Sequence, residues 1–378
     1  MNKFLMTLVT LVAFAVSGVA FADAKVSGFM QQFVGAGDDI DGGITQKFTR
    51  FSMGADTTTD NGWTVGGSFA IEYSTYANPG KSGYLPTSNS MYIQTDMATI
   101  SIGATADATT ALIPRVSAMV PGAGTDGGFP MLFDGGMLSA NGVEFAEAYY
   151  ADANSKINVM LPAVNGFTVG VAYTPDNEYG TKSSILRRGG AVDGSHSNVV
   201  NAAASYSGET DGMAYTIGVS SISGNSTGLN SRDTIQAKNN DLSVVTAAIK
   251  LTMGNISVGA HMYDNGASFG SSTDADKASD AGYNLAATYN MGNITVGAGL
   301  SHSENTRGTN GQARATTLTT AAAGAVMEDT AVQFGIAYNM GGGVNTFVQL
   351  TNFTHSDGDH ATTEADPQIL IGGISLGF

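Results

Sequence analysis

The sequence predicts an all-β fold, a 16-stranded antiparallel transmembrane β-barrel with short periplasmic turns and long extracellular loops. Three features predict it: apolar residues alternate with small polar ones, short turns alternate with long polar connections, and the chain ends on an aromatic residue, Phe378. The composition agrees, because 50 of the 378 residues are glycine and only 13% are charged. Ordinary soluble domains have about half as much glycine and about twice as much charge.

Charge and composition argue against several classes of function. The 32 acidic and 16 basic residues give a formal charge of −16, which would repel the phosphates of a nucleic acid. The chain has no cysteine, so disulfides and cysteine-ligated metals are impossible. Among the histidines, His355 and His360 form one loose cluster, which is more typical of a solvated loop than of a metal site. We therefore expect no nucleic-acid partner, no metal and no cofactor.

The amino terminus is typical of a secretory signal peptide. Residues 1–3 form a short basic start, Phe4 to Val19 is mostly apolar, and Ala20-Phe21-Ala22 is a small-x-small cleavage site. We expect residues 1–22 to be removed and residues 23–378 to form one barrel domain. No later segment has the roughly 18 consecutive apolar residues of a transmembrane helix. A barrel strand needs only every second residue to be apolar, so the chain fits a bacterial outer membrane.

Alternation with a period of two residues marks the strands. From Trp63 to Tyr73 the odd-numbered residues form an apolar face interrupted by Gly67, and the even-numbered residues are Thr, Gly, Ser, Ala and Glu. Small uncharged residues suit a crowded lumen better than the open surface of a soluble sandwich. The candidate strands number sixteen, an even number, as in single-chain bacterial barrels. They lie near 25–35, 44–57, 62–77, 88–96, 99–106, 155–162, 166–175, 199–207, 212–222, 241–252, 256–264, 280–290, 293–302, 327–338, 343–354 and 367–378.

The connections between these strands alternate in length, as in outer-membrane barrels, whose short turns lie on one rim and long loops on the other. The segment 253–260 recurs almost unchanged as 291–298, so the hairpin is the repeating unit. Aromatic residues beside the short turns predict an interfacial girdle: Trp63, Phe167, Tyr206, Tyr289, Tyr338 and Phe378. The long polar connections lie around 36–43, 78–88, 107–154, 176–198, 223–240, 265–279, 303–326 and 355–366.

Three stretches of the chain resemble a known family: Lys25-Val26-Ser27-Gly28-Phe29-Met30, Asn165-Gly166-Phe167-Thr168-Val169-Gly170-Val171-Ala172-Tyr173-Thr174-Pro175-Asp176, and Gly372-Gly373-Ile374-Ser375-Leu376-Gly377-Phe378. With them the chain is similar to the general porins of the Gram-negative outer membrane, most of all the alphaproteobacterial type. The resemblance implies a homotrimer of water-filled channels, set in outer-membrane lipid and lipopolysaccharide. It also implies passive diffusion of small hydrophilic solutes and ions, and a third long loop folded into the barrel.

The longest connection, 107–154, follows the fifth strand, where that family has its constriction loop. Carboxylates on an inward loop that face basic wall residues would create a transverse field across the pore. On the wall, the even-numbered register of the second strand places Arg50 inside, and Arg50 and Glu72 match inward basic and acidic positions of the family. The predicted constriction residues are Arg50, Glu72, Asp107, Arg115, Asp126, Asp134, Glu144, Glu147 and Lys156.

The sequence departs from the family pattern at the wall and at the loop tip. The family has several stacked arginines, whereas here Arg50 is joined by Lys156, Lys250 and His261 as candidate basic groups. The usual acidic motif at the loop tip is absent. We therefore expect a weak transverse field and a channel biased to cations.

Two other functions would share some of these features. A surface enzyme on a smaller barrel would need converging Ser, His and acidic residues. The string Gly266-Ala267-Ser268-Phe269-Gly270 matches a nucleophile elbow, but it lies in a polar loop with no helical period after it, so we expect no enzyme. A secreted or surface β-rich structural protein or adhesin without channel activity would also show the alternation, but it would be soluble without detergent.

Overall fold

The computed structural model describes residues 23–37, 40–74, 85–122, 154–176, 196–226, 240–268, 279–306, 326–357 and 368–378. The expected signal peptide, 1–22, lies outside these residues. The described residues form one closed barrel of sixteen antiparallel strands, in which each strand pairs with the next and the last pairs with the first. This confirms the predicted fold class. In the same described ranges, no helix has the length and apolarity needed to span a membrane.

The strands agree with the predicted ones to within a few residues at most ends. The observed strands are β1 (Asp23–Gly37), β2 (Ile40–Thr58), β3 (Thr64–Ser74), β4 (Leu85–Gln94), β5 (Thr99–Ala104), β6 (Ser155–Met160), β7 (Phe167–Asp176), β8 (His196–Thr210), β9 (Met213–Ser226), β10 (Leu242–Met253), β11 (Ile256–Gly266), β12 (Ser279–Met291), β13 (Ile294–Thr306), β14 (Val326–Gly341), β15 (Val344–Asp357) and β16 (Gln368–Gly377).

The first connection is shorter than the sequence predicts. A long polar connection was expected around 36–43, but β1 and β2 continue pairing up to Gly37 and Ile40, with only residues 38–39 between them. This stretch is rich in Gly and Asp, which are poor strand formers by composition. Ladder hydrogen bonds come from the backbone, however, so pairing extends beyond the apolar alternation.

The two faces of the wall differ in the way that a barrel in lipid requires. Apolar side chains on the outer face are exposed: Val26, Ile102 and Phe334 are 57%, 47% and 53% accessible. The inner face carries buried uncharged polar groups such as Gln333 and Gln349. A soluble barrel has the opposite arrangement, with its apolar residues inside.

Tight turns join the strands at one end of the barrel. Asn165 and Gly166 have φ values of 51° and 88°, and Asp211 and Gly212 have 49° and 75°. Two successive residues with positive φ are typical of type I′ hairpin turns, whose twist matches that of the flanking strands. The predicted aromatic girdle begins at this end, where the Phe167 and Tyr206 rings lie 4.6 Å apart.

Candidate functional site

Directly after β5 the chain turns into the barrel and runs along the inner wall to residue 122. We call residues 105–122 the inward segment; it contains the described beginning of the 107–154 connection. It starts with a short helix, α1 (Ala108–Leu112), whose amino end is capped by Asp107. One Asp107 carboxylate oxygen accepts the N–H of Thr110 at 2.8 Å. Ala108 and Ile113 are buried with alanines of β8 and β10, so apolar contact holds the helix to the wall.

The inward segment lies on glycines of the inner wall, the glycine track: Gly170, Gly218, Gly259, Gly297, Gly299 and Gly335. At Gly335 on β14, a Cβ would lie 1.8 Å from the carbonyl oxygen of Pro121. At Gly259 on β11, it would lie 2.6 Å from the sulfur of Met119. The missing side chains therefore let the segment lie close against the wall from β7 to β14.

Buried amides of the wall fix the beginning of the segment. Asn201 of β8 accepts both the backbone N–H and the hydroxyl of Thr109, at 3.1 and 2.9 Å. Asn158 of β6 donates to the carbonyl oxygen of Ala106 at 3.2 Å. Both asparagines are buried. Because a buried polar group that loses its partner is costly, these bonds fix how the segment is aligned on the wall.

Lys156 and Asp107, both predicted at the constriction, lie buried in the neck of the connection. We define the neck as residues 103–107 and 154–156, the two ends of the connection, where Gly103 pairs with Lys156 across β5 and β6. The Lys156 ammonium donates to the carbonyl oxygens of Thr105 and Asn154. Its side chain is 0% exposed, and Asp107 is 1% exposed.

Arg50 and Glu72 occupy paired positions on neighbouring strands. Arg50 on β2 pairs directly with Glu72 on β3 and with Phe29 on β1, so all three residues share one face. The register agrees with the prediction that Arg50 points inward, because its neighbour Phe51 is exposed on the outer face. The Arg50 guanidinium lies 5.4 Å from the centre of the Phe29 ring, within the range of a cation–π contact.

The inward segment and the Arg50–Glu72 pair lie on different sides of the barrel. The segment contacts the wall from Asn158 on β6 to Gln349 on β15. The middle of this stretch, β10 and β11, lies eight strands away from β2 and β3 round the ring. Arg115 is exposed on the segment, between buried Ile113 and Val116. It therefore lies on the side away from the wall. The described segment therefore lies on the wall opposite β2 and β3.

Four predicted constriction residues, Asp126, Asp134, Glu144 and Glu147, lie outside the described residues.

The sequence analysis missed an ion pair on the inner face, in which Lys25 Nζ lies 3.1 Å from Asp56 Oδ1. The alternation pattern places both residues on the inner face, but it does not show that they lie next to each other on neighbouring strands. It also missed the glycine track, although each track residue lies in the inward register of its strand. Within the described ranges, no group of three or more His, Asp or Glu side chains is placed to hold a metal ion.

A model of the Gram-negative porin family matches residues 8–358 of the chain. Among solved structures, a loop-deletion mutant of OmpT, an outer membrane protein of Vibrio cholerae, aligns with a TM-score of 0.62 at 13% identity, covering 94% of this chain and 99% of that one. The trimer form of in-vitro folded OmpT gives 0.62 at 12% identity, with the same coverage.

A mutant of the Rh. blastica porin aligns with a TM-score of 0.58 at 17% identity, covering 94% of this chain and 100% of that one. At such identities the likeness to solved structures concerns the fold alone. No curated protein sequence matches the chain significantly.

Proposed function

The chain belongs to the Gram-negative porin family, and on that basis we propose that it is a channel for the passive diffusion of small hydrophilic solutes and ions. It is an outer-membrane protein, with its apolar outer face toward lipid and its polar inner face toward the lumen. The observation that carries the proposal is the inward segment, which lies flat on the glycine track of a closed sixteen-stranded barrel. A segment held in this way would narrow the lumen and leave a passage beside it.

The proposed passage runs between the inward segment and the β1–β5 wall. Arg50 and Glu72 would line it from the wall, and Arg115 would line it from the segment. The rest of the connection would add the carboxylates of Asp126, Asp134, Glu144 and Glu147. Opposed charges across a narrow, low-dielectric passage orient dipolar solutes and filter ions.

A preference for cations is part of the proposal. The 107–154 connection contains six acidic residues and one basic residue, Arg115. An excess of carboxylates near the narrowest part raises the local concentration of cations and lowers that of anions. The preference would be modest, because Arg50 adds a positive charge on the opposite wall.

Assembly and partners are proposed on the same basis. A homotrimer is supported by the family and by the trimer form in which OmpT of Vibrio cholerae was solved. The proposed lipid partners are outer-membrane lipid and lipopolysaccharide around the apolar outer face. Catalysis has no part in the proposal, since passive diffusion needs a lined passage rather than a reacting group.

The test is the conductance of detergent-purified protein in a planar bilayer under a salt gradient. We expect the current to rise in steps as channels insert, in groups of three equal conductances if the protein is trimeric. The sign of the reversal potential should show a preference for cations. Arg50→Ala should raise the cation-to-anion permeability ratio by roughly two- to fivefold at low salt, because one positive charge leaves the passage. Arg50→Lys, which keeps the charge, and Ser52→Ala, on the same face of β2, serve as controls.

Two results would contradict the proposal in different ways. Folded, membrane-inserted protein without conductance would mean that the barrel is closed and not a diffusion channel. An unchanged reversal potential in Arg50→Ala would remove Arg50 from the passage while leaving the channel itself intact.

A further inference from the structure

Lys156 is the largest side chain that is fully buried among the described residues. It lies on the inward register of β6, where it pairs with Gly103 beside the last β5–β6 pair, Ala104 with Ser155. Its ammonium donates to the carbonyl oxygen of Thr105, where the chain leaves β5, and to that of Asn154 at 2.7 Å, where the chain returns to β6. One side chain therefore bonds both ends of the 107–154 connection.

A buried ammonium at this position needs a reason, because removing a charge from water is costly. Charge-assisted bonds to two carbonyl oxygens offset that cost in part, and they are stronger than bonds between neutral groups. A buried carboxylate, Asp107, lies two residues beyond Thr105 and caps α1. The neck thus buries a positive and a negative side chain, Lys156 and Asp107. Two apolar side chains could fill the same space without the cost of burying charge.

Movement at the neck would pass directly to the inward segment. Only two residues separate Thr105 from α1. The wall next holds the segment through the Asn158 bond to Ala106 and then through the Asn201 bonds to Thr109. Without the Lys156 bonds, the single Asn158 bond to Ala106 would be left to hold the chain between β5 and α1. The β5–β6 ladder would still hold Ala104 beside Ser155, but the first residues of the inward segment beyond that pair would be fixed less firmly.

We propose that Lys156 is a positioning residue for the constriction: its ammonium bonds both ends of the connection and so fixes where the inward segment starts along the inner wall. This inference rests on the proposed channel function. Because the side chain is buried, it acts through the position of the loop and not as a charge in the passage. Removal of the Lys156 ammonium should therefore increase fluctuations between conductance levels and leave the ion selectivity unchanged.

The first measurement compares Lys156→Met with the unmodified protein in single-channel recordings. We expect the fraction of time outside the main conductance level to rise about tenfold, the effect of losing a charge-assisted buried hydrogen bond. The reversal potential should stay unchanged, in contrast to Arg50→Ala. A shifted reversal potential with a steady open level would mean that Lys156 lines the passage, which would overturn the proposal.

Chemical rescue isolates the ammonium group. The chain has no cysteine, so Lys156→Cys introduces a unique thiol. Alkylation of the unfolded protein with 2-bromoethylamine, followed by refolding in detergent, restores a lysine-like ammonium, and alkylation with 1-iodopropane gives a neutral side chain of similar size. The aminoethyl product should show a steady open level and the propyl product an unsteady one. Equal behaviour of the two folded products would contradict the proposal.

A spectroscopic measurement keeps this inference separate from the channel function. Ala118 is exposed on the inward segment, so a nitroxide label on Ala118→Cys reports the mobility of the segment without any current. The label should be more mobile with Lys156→Met than with Lys156 in place. Even if the protein did not conduct at all, this difference in mobility would support the proposal that Lys156 positions the inward segment. Equal label mobility with Lys156 and with Lys156→Met would overturn that proposal.

Discussion

Lys25 and Asp56 form an ion pair on the inner face of β1 and β2, with Nζ 3.1 Å from Oδ1. The two side chains are 74% and 28% exposed, so solvent screens the pair and its contribution to stability is small. Its significance is electrostatic, because each charge faces the aqueous lumen and compensates the other. Removal of one partner would expose an uncompensated charge of known sign.

This pair predicts opposite effects of its two single substitutions on ion selectivity. Lys25→Met should move the reversal potential toward cation preference, and Asp56→Asn should move it toward anion preference. The double variant should lie close to the unmodified protein, since both charges are gone together. The shifts should shrink between 0.1 M and 1 M salt, where the Debye length falls from about 10 to about 3 Å. Shifts of the same sign in both single variants would contradict this expectation.

For single residues, the sequence predicted which way a side chain points better than which residue it meets. The period-two pattern places Arg50 on the inner face, and in the structure its neighbour Phe51 is exposed on the outer face. The pattern does not identify a partner on the next strand, because register depends on the turn and on bulges. This is why the Lys25–Asp56 pair was missed. The burial of Lys156 was missed because an inward lysine looks pore-lining until the path of the loop is known.

Among the secondary-structure elements, the strands were predictable and the contact between loop and wall was not. Each strand carries its own apolar alternation, which is a local signal. The glycine track is a non-local arrangement, since glycines 165 residues apart, Gly170 and Gly335, contact one short segment. Glycine in a strand signals a close backbone approach, but the sequence does not say which backbone approaches.

The glycine track makes a prediction about the inward segment. In Gly335→Ala the new Cβ would meet the Pro121 carbonyl oxygen, and backbone cannot yield as a flexible side chain does. We expect the segment to move off the wall into the lumen, with lower single-channel conductance and a loss of stability of about 1–3 kcal/mol, typical of overpacking. Conductance and thermal unfolding measure the two effects.

Gly54→Ala is the matched control for that substitution. Gly54 lies on the inner face of β2, away from the inward segment, and its nearest neighbour for a new Cβ is the Gly67 carbonyl oxygen at an ordinary 3.5 Å. Conductance and stability should remain close to those of the unmodified protein. Equal losses in both variants would show that any inner-wall glycine is sensitive, whatever it faces.

For the barrel as a whole, closure depends on the seam between β1 and β16. At its end, Gly28 N–H donates to the Phe378 carbonyl at 2.8 Å, and Phe378 N–H donates to the Gly28 carbonyl at 3.0 Å. The Phe378 ring lies over Gly28, where a Cβ would be 2.5 Å from a ring carbon. The sixteen-strand closure was predictable because the even number of alternating segments is a global feature of the sequence.

The seam predicts a graded loss of stability at Phe378. Phe378→Ala removes the ring but keeps both backbone bonds, whereas deletion of Phe378 removes the ring and both bonds. Each backbone bond contributes about 0.5–1.5 kcal/mol, so deletion should lower the unfolding temperature further than Phe378→Ala does. Leu376→Ala, on the same outer face of β16, controls for lost lipid-facing apolar surface. The measurement is the temperature at which the folded barrel converts to the unfolded band on a gel in SDS, and equal temperatures for deletion and Phe378→Ala would show that the closing backbone pair contributes nothing.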